Sequence, residues 1–173
     1  MIRKTILTLN PRFIWNNSTT LITLGKNAFI IKLETHPTKD VVDSHINGTL
    51  TVIWRDRDKI IKKNPKMVYV SSVNPGEVKG PHLHLKRDSY FVCIHGKVVF
   101  IIKENSGKYL EIESSDDKPV LVFVPKKTAS AHINLTNSVA RVLALADPAW
   151  KPNDNEMKNV SFLDYNWSKW KNQ

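Results

Sequence analysis

Apolar residues along this chain alternate or cluster in short runs, and turn signals separate them. The period is close to two, so successive side chains fall on opposite faces of a pleated ribbon. Strands are predicted at Thr5–Leu9, Leu21–Leu24, Ala28–Leu33, Thr49–Trp54, Met67–Val73, Tyr90–Ile94, Lys97–Lys103, Tyr109–Ile112, Val120–Val124 and Val139–Ala146. These runs are rich in Val, Ile, Thr and aromatic residues, which pack well on a half-buried sheet. Turns are predicted at Asn47-Gly48, Asn74-Pro75-Gly76, His95-Gly96, Asn105-Ser106-Gly107 and Asp116-Asp117-Lys118-Pro119. Helix signals are weak throughout. Many short strands at regular spacing predict an all-β sandwich or barrel.

From Asp147 the pattern changes to DPAWKPNDNEMKNVSFLDYNWSKWKNQ. The prolines and polar residues end the strand pattern, and Asp154–Lys158 is expected to form one helical turn. Trp150, Phe162, Tyr165, Trp167 and Trp170 carry too much apolar surface for a free tail. The tail is therefore expected to dock, either around its own barrel or on a partner subunit. The expected organisation is a single domain over 1–173, with a core at about 49–147 and a docked tail over 148–173. Neither an internal repeat nor a low-complexity segment is evident.

The chain has 173 residues, enough for one domain with a core. The N-terminus is basic but has no long apolar run, and reads as mature sequence. No stretch approaches the ~20 apolar residues of a membrane helix. The single cysteine, Cys93, cannot form an internal disulfide and suits a reducing compartment, so a cytoplasmic location is expected. The net charge is +10, spread along the chain rather than gathered with aromatics into a base-stacking surface. No nucleic acid or membrane partner is expected; an anionic small molecule fits the charge better.

Candidate chemistry centres on KGPHLHLKRDSYFVCIHG, Lys79 to Gly96. Residues two apart on a strand share a face, so His82 and His84 should project together. Two imidazoles in one pocket suit proton transfer near neutral pH. With His132 they could also ligate a divalent metal. Lys79, Arg87 and Arg55 could bind a diphosphate or an enolate, and Tyr90 and Tyr69 could supply an acid. His36, His45 and His95 lie near turn signals and read as surface residues. Cys93 shares strand parity with Phe91 and reads as a small buried residue.

Gly76-x5-His82-x-His84 followed by Gly96, with Pro125 and His132 further on, resembles the two motifs of the cupin superfamily. Asp88 and Ser89 stand where metal-binding cupins carry Glu. A narrower resemblance is to the dTDP-4-dehydrorhamnose 3,5-epimerases. Lys79-Gly80-Pro81-His82 is similar to their Arg-Gly-x-His, Val124-Pro125 to Ala131-His132 to their Pro–Ala-His, and Trp150-Lys151-Pro152-x3-Glu156 to their Tyr-x-Pro-x-x-Glu. The paired histidines also resemble the Arg-Gly-x-His-x-His of dTDP-sugar 3,4-ketoisomerases. Three departures stand out. Lys79 replaces an Arg, which loses bidentate recognition. Ala144 occupies the place of the family's Tyr. The Asp that partners the family's His has only Asp164 as a candidate.

The resemblance implies a cupin jelly-roll with extra N-terminal strands and a short C-terminal tail. It implies a homodimer and a nucleotide-sugar substrate, with no cofactor. The implied reaction moves a proton alpha to the ketone of a nucleoside-diphosphate 4-keto-6-deoxy sugar. His82 is expected as base, His84 and Tyr90 as its catalytic partners, and Lys79, Arg55, Arg87 and His132 as substrate-binding residues. Two alternatives stay open. One is a metal-dependent cupin with iron, manganese, nickel or zinc on His82, His84 and His132. The other is a non-catalytic cupin that binds a sugar or nucleotide.

Overall fold

The computed structural model describes residues 20–24, 28–58, 61 and 63–170. The predicted strand at Thr5–Leu9 lies outside them. Thirteen strands are present among the described residues: β1 (Thr20–Leu24), β2 (Ala28–Lys32), β3 (Glu34–Lys39), β4 (Ile46–Val52), β5 (Met67–Val73), β6 (Val78–His84), β7 (Asp88–His95), β8 (Lys97–Lys103), β9 (Tyr109–Ser115), β10 (Val120–Val124), β11 (Ala129–Asn134), β12 (Ala140–Asp147) and β13 (Met157–Asn159). A six-stranded sheet runs β1-β2-β10-β7-β12-β5, and a five-stranded sheet runs β13-β6-β11-β8-β9. β3 and β4 form a separate hairpin. Every pairing is antiparallel. The all-β jelly-roll-like sandwich expected from the sequence is the fold, and β1 and β2 extend its larger sheet N-terminal to position 49.

Alternation sorts the side chains into three apolar layers. Cys93, Val98, Phe100, Ile102, Val122, Val124, Ala140 and Val142 fill the space between the sheets. Ile31, Tyr90, Val92, Leu121, Phe123 and Leu145 pack on the outer face of the larger sheet. Val99, Ile101, Ala131 and Ile133 face outward from the smaller sheet, where Phe162 and Tyr165 of the tail cover them. The tail thus docks on its own barrel. Cys93 is fully buried, as expected, and burial pushes its thiol up to about 11.

Several local expectations are corrected. Asn47-Gly48 lies inside β4; the hairpin turns earlier, where Ser44 N–H donates to Asp40 O at 3.1 Å and Val42 N–H to Asp40 Oδ1 at 2.8 Å. The expected helical turn at Asp154–Lys158 is replaced by β13, because its backbone finds the open edge of β6. β3 and β11 were not predicted, and β6 was read as a strand only around His82 and His84. β3 carries Pro37 and β6 carries Gly80-Pro81, both weak strand signals that sheet pairing overrides.

Candidate active site

One open end of the sandwich holds a cavity of about 370 Å³. Met67, Tyr69 and Ser71 of β5 face it, as do Lys79, His82 and His84 of β6 and Ser89 and Phe91 of β7. Ser130 and His132 of β11, Val142 of β12, and Trp150 and Met157 of the tail complete the wall. His82 and His84 share a face, as their spacing requires. Lys79 has the wrong parity to join them, yet it does. Between the Ser130↔His82 and His132↔Lys79 pairings, β6 uses one residue more than β11, which is a bulge. Gly80 sits in this bulge at φ +92°, where a Cβ would lie 2.8 Å from the Ser130 carbonyl oxygen. Only glycine allows that approach, and it turns the Lys79 side chain into the cavity. Lys79 Nζ donates to Ser71 Oγ across the cavity at 2.8 Å.

The tail supplies a hydrogen-bond partner to each imidazole. β13 pairs with β6 so that Asn159 lies opposite His82 and Met157 opposite His84. His84 Nδ1–H donates to Glu156 Oε2 at 2.7 Å, and His82 Nδ1–H donates to Asn159 Oδ1 at 3.0 Å. Glu156 is 2% exposed, and its other oxygen lies 3.3 Å from Nε of the buried Arg87. A buried carboxylate needs such partners to remain charged. With Nδ1 engaged in both rings, Nε2 is the nitrogen left for chemistry.

Four buried polar atoms here have no hydrogen-bond partner among the described residues: Arg87 Nε, which only ion-pairs with Glu156, Arg87 Nη2, Ser89 Oγ and His132 Nε2. Buried polar groups are rarely left so, and their gathering at one cavity suits a polar ligand. His132 packs against Phe91 and Phe100 at centroid separations of 6.4 and 5.5 Å. Burial, with Lys79 and His82 nearby, lowers its imidazole to about 4, so it is neutral at pH 7. Tyr69 sits directly across the strand from Ala144, the position of the missing tyrosine. Burial raises the Tyr69 phenol, which keeps it a proton donor.

Two expected site residues lie elsewhere. Tyr90 points to the opposite face of β7 from Ser89 and Phe91, where it packs on Phe29 and Phe123 at 6.2 and 4.6 Å. Arg55 pairs with Glu34 at 3.2 Å beside the hairpin and does not line the cavity. Asp164 is not the histidine's acid either. It accepts from Lys103 Nζ at 2.9 Å and Tyr109 O–H at 2.5 Å, on the far side of the smaller sheet. Asp88 accepts a backbone bond from Lys126 at 2.9 Å. Glu156 takes the part sought in Asp164; its motif Trp150-Lys151-Pro152-x3-Glu156 was the available signal. Asn159 and Ser89 carried none.

The three cavity histidines are not gathered as a ligand cluster. Among the described residues, ligand atoms converge within 4.8 Å only at Asp40, Asp43 and His45, on the exposed hairpin tip. The ligand atoms of His82, His84 and His132 do not converge in this way.

Solved structures of dTDP-sugar epimerases share this sandwich fold. A dTDP-4-dehydrorhamnose 3,5-epimerase from Sulfolobus tokodaii matches with a TM-score of 0.72 at 16% identity, over 86% of this chain and 85% of that one. NovW, a 4-keto-6-deoxy sugar epimerase from Streptomyces spheroides, matches with a TM-score of 0.69 at 17% identity, over 90% and 79%. ChmJ, a 3'-monoepimerase from Streptomyces bikiniensis in complex with dTDP-quinovose, matches with a TM-score of 0.67 at 16% identity, over 80% and 72%. At these identities the likeness is one of fold. By sequence, residues 27–167 match the family described as FdtA: WxcM-like, C-terminal, and the chain belongs to that family. Among the curated proteins none matches. No helix among the described residues is long and apolar enough to cross a membrane.

Proposed function

We propose that this protein is a sugar-nucleotide isomerase, an epimerase or ketoisomerase. It moves a proton alpha to the ketone of a nucleoside-diphosphate 4-keto-6-deoxy sugar, with no metal or organic cofactor. One observation carries the reading: a histidine in the cavity wall, His84, is backed by a buried carboxylate that Arg87 in turn holds. A hydrogen on carbon beside a ketone is weakly acidic. Removing it needs a positioned base and donors for the oxygen that becomes anionic. Glu156 gives His84 a counter-charge for the imidazolium formed when Nε2 takes the proton, as in other carboxylate–histidine pairs. The base is therefore His84 rather than His82, the choice made from the sequence.

The C–H electron pair moves into the C–C bond, and the carbonyl electrons move onto oxygen. Lys79, Arg87 and Ser89 offer donors to that oxygen. Protonation of the same carbon from its other face inverts it. Protonation of the enolate oxygen and of the former carbonyl carbon, with loss of the neighbouring hydroxyl proton, moves the ketone instead. Either route is redox-neutral overall. Tyr69 is the proton donor in place of the residue missing at Ala144. Two histidines on one strand face, and one tyrosine, favour ketoisomerisation over inversion at two centres.

Support for a homodimer comes from the edge strand β5, whose outer face leaves Val68 and Val70 61% and 51% exposed. One buried free cysteine suits the cytoplasm. The test is incubation with dTDP-4-keto-6-deoxyglucose in heavy water, followed by NMR, with and without chelator. Deuterium at C3, C4 or C5, insensitive to chelation and lost in His84→Gln, is the expected result. Exchange that survives His84→Gln, or that chelator abolishes, overturns it.

A further inference from the structure

The two cavity histidines are unlike in one respect: their partners in the tail. His84 faces a carboxylate, and His82 faces the neutral amide of Asn159. We infer that Asn159 is a positioning residue. It holds His82 in the Nδ1–H tautomer, so that Nε2 presents a lone pair to the substrate and accepts a hydroxyl proton while His84 handles the carbon-bound one. The catalytic half of this statement rests on the proposed isomerase; the tautomer does not.

The geometry leaves little freedom. Asn159 and His82 are directly opposed across an antiparallel pair, where side chains on one face approach most closely. The strand is anchored on both sides of the contact. Leu85 N–H donates to Glu156 O at 2.8 Å, and Val160 N–H donates to Pro81 O at 3.2 Å. An amide oxygen only accepts, so the ring nitrogen facing it must carry the proton. Free imidazole favours the opposite tautomer, with hydrogen on Nε2. Left alone, the ring would present a donor to the cavity and could not receive a hydroxyl proton. Chemistry asks for this division of labour. A ketone that migrates to the adjacent carbon must lose one O–H proton and one C–H proton, and one base cannot hold both.

Long-range 1H–15N correlation spectra of the intact protein at pH 7.5 read the tautomer of each histidine, with His82 assigned from His82→Gln. We expect an Nδ1–H pattern for His82 in the wild type. It should shift toward Nε2–H in Asn159→Ala and persist in Asn159→Asp, which keeps an accepting oxygen. Turnover of the keto sugar should fall about tenfold or more in Asn159→Ala, with KM nearly unchanged, and recover in part in Asn159→Asp. A wild-type Nε2–H pattern, or an Asn159→Ala spectrum identical to wild type, overturns the inference. If the protein does not turn over the keto sugar but His82 shows the Asn159-dependent tautomer, the isomerase reading fails and the positioning role stands.

Discussion

His132 makes the stability of this protein depend on pH between neutrality and pH 4. Its imidazole titrates at about 4 when folded, against an ordinary value of 6.5. A folded-state value below the unfolded one means that the unfolded chain binds the proton first. Stability from this group is complete above 6.5. It is lost progressively as pH falls toward about 4, and the loss levels off below that. Linkage over this interval gives ~2 kcal/mol lost at pH 5 and ~3 kcal/mol at pH 4. The cause is desolvation: Nε2 is buried without a partner, the ring packs against Phe91 and Phe100, and Lys79 and His82 add like charge. Urea unfolding of wild type and His132→Gln at pH 7 and pH 5 isolates the effect, because every other titrating group is common to both proteins. Glutamine cannot titrate and is close to histidine in volume. The wild type should lose about 1 M more in urea midpoint than the variant between the two pH values, taking a slope of ~2 kcal/mol per M. Equal losses in the two proteins would refute the argument and place His132 in water.

Glu156→Gln removes the counter-charge from both His84 and the buried Arg87. Deuterium exchange into substrate should fall roughly a hundredfold or more, and urea unfolding should show a stability loss of ~3 kcal/mol for the uncompensated guanidinium. Tyr69→Phe should slow product formation by about tenfold or more with little change in thermal midpoint, since it removes only the donated proton. Gly80→Ala places a Cβ 2.8 Å from the Ser130 carbonyl oxygen at φ +92°. Thermal unfolding should show ~2 kcal/mol of destabilisation from backbone strain. Asp164 is held down to about 2, chiefly by the Tyr109 hydroxyl and then by Lys103, against an ordinary value of 3.8. A depressed carboxylate stabilises above its unfolded value and loses that contribution as pH falls toward about 2. Tryptophan fluorescence should therefore report loosening of the tail in that acid window, and Asp164→Asn should remove the dependence.

How much of this was legible in the chain depends on the range of the interaction. Met67–Val73, Lys97–Lys103 and Val120–Val124 are strands to the residue because their apolar pattern is local: the last two bury both faces, and the first alternates a half-buried with an exposed one. The shared face of His82 and His84 follows from strand parity alone, and the aromatic load of the tail foretold its docking. Composition could not show that β6 and β11 are strands, because Gly80-Pro81 and a polar Ala-Ser-Ala-His run pair only when partners are present. Nor could parity place Lys79, since a bulge adds one residue to β6 and reverses the faces. Tyr90 and Tyr69 looked equivalent in the sequence; the sandwich puts one on an outer face and the other in the cavity. The partners of the histidines lie 72 and 77 residues away; the Trp150-Lys151-Pro152-x3-Glu156 motif marks one, and nothing local in Asn159 announces the other. The sequence by itself determined an all-β sandwich with two histidines on one side of a strand. Closing the tail onto that strand decided which nitrogen each histidine offers, because a hydrogen bond across the sheet depends on register that no single segment encodes.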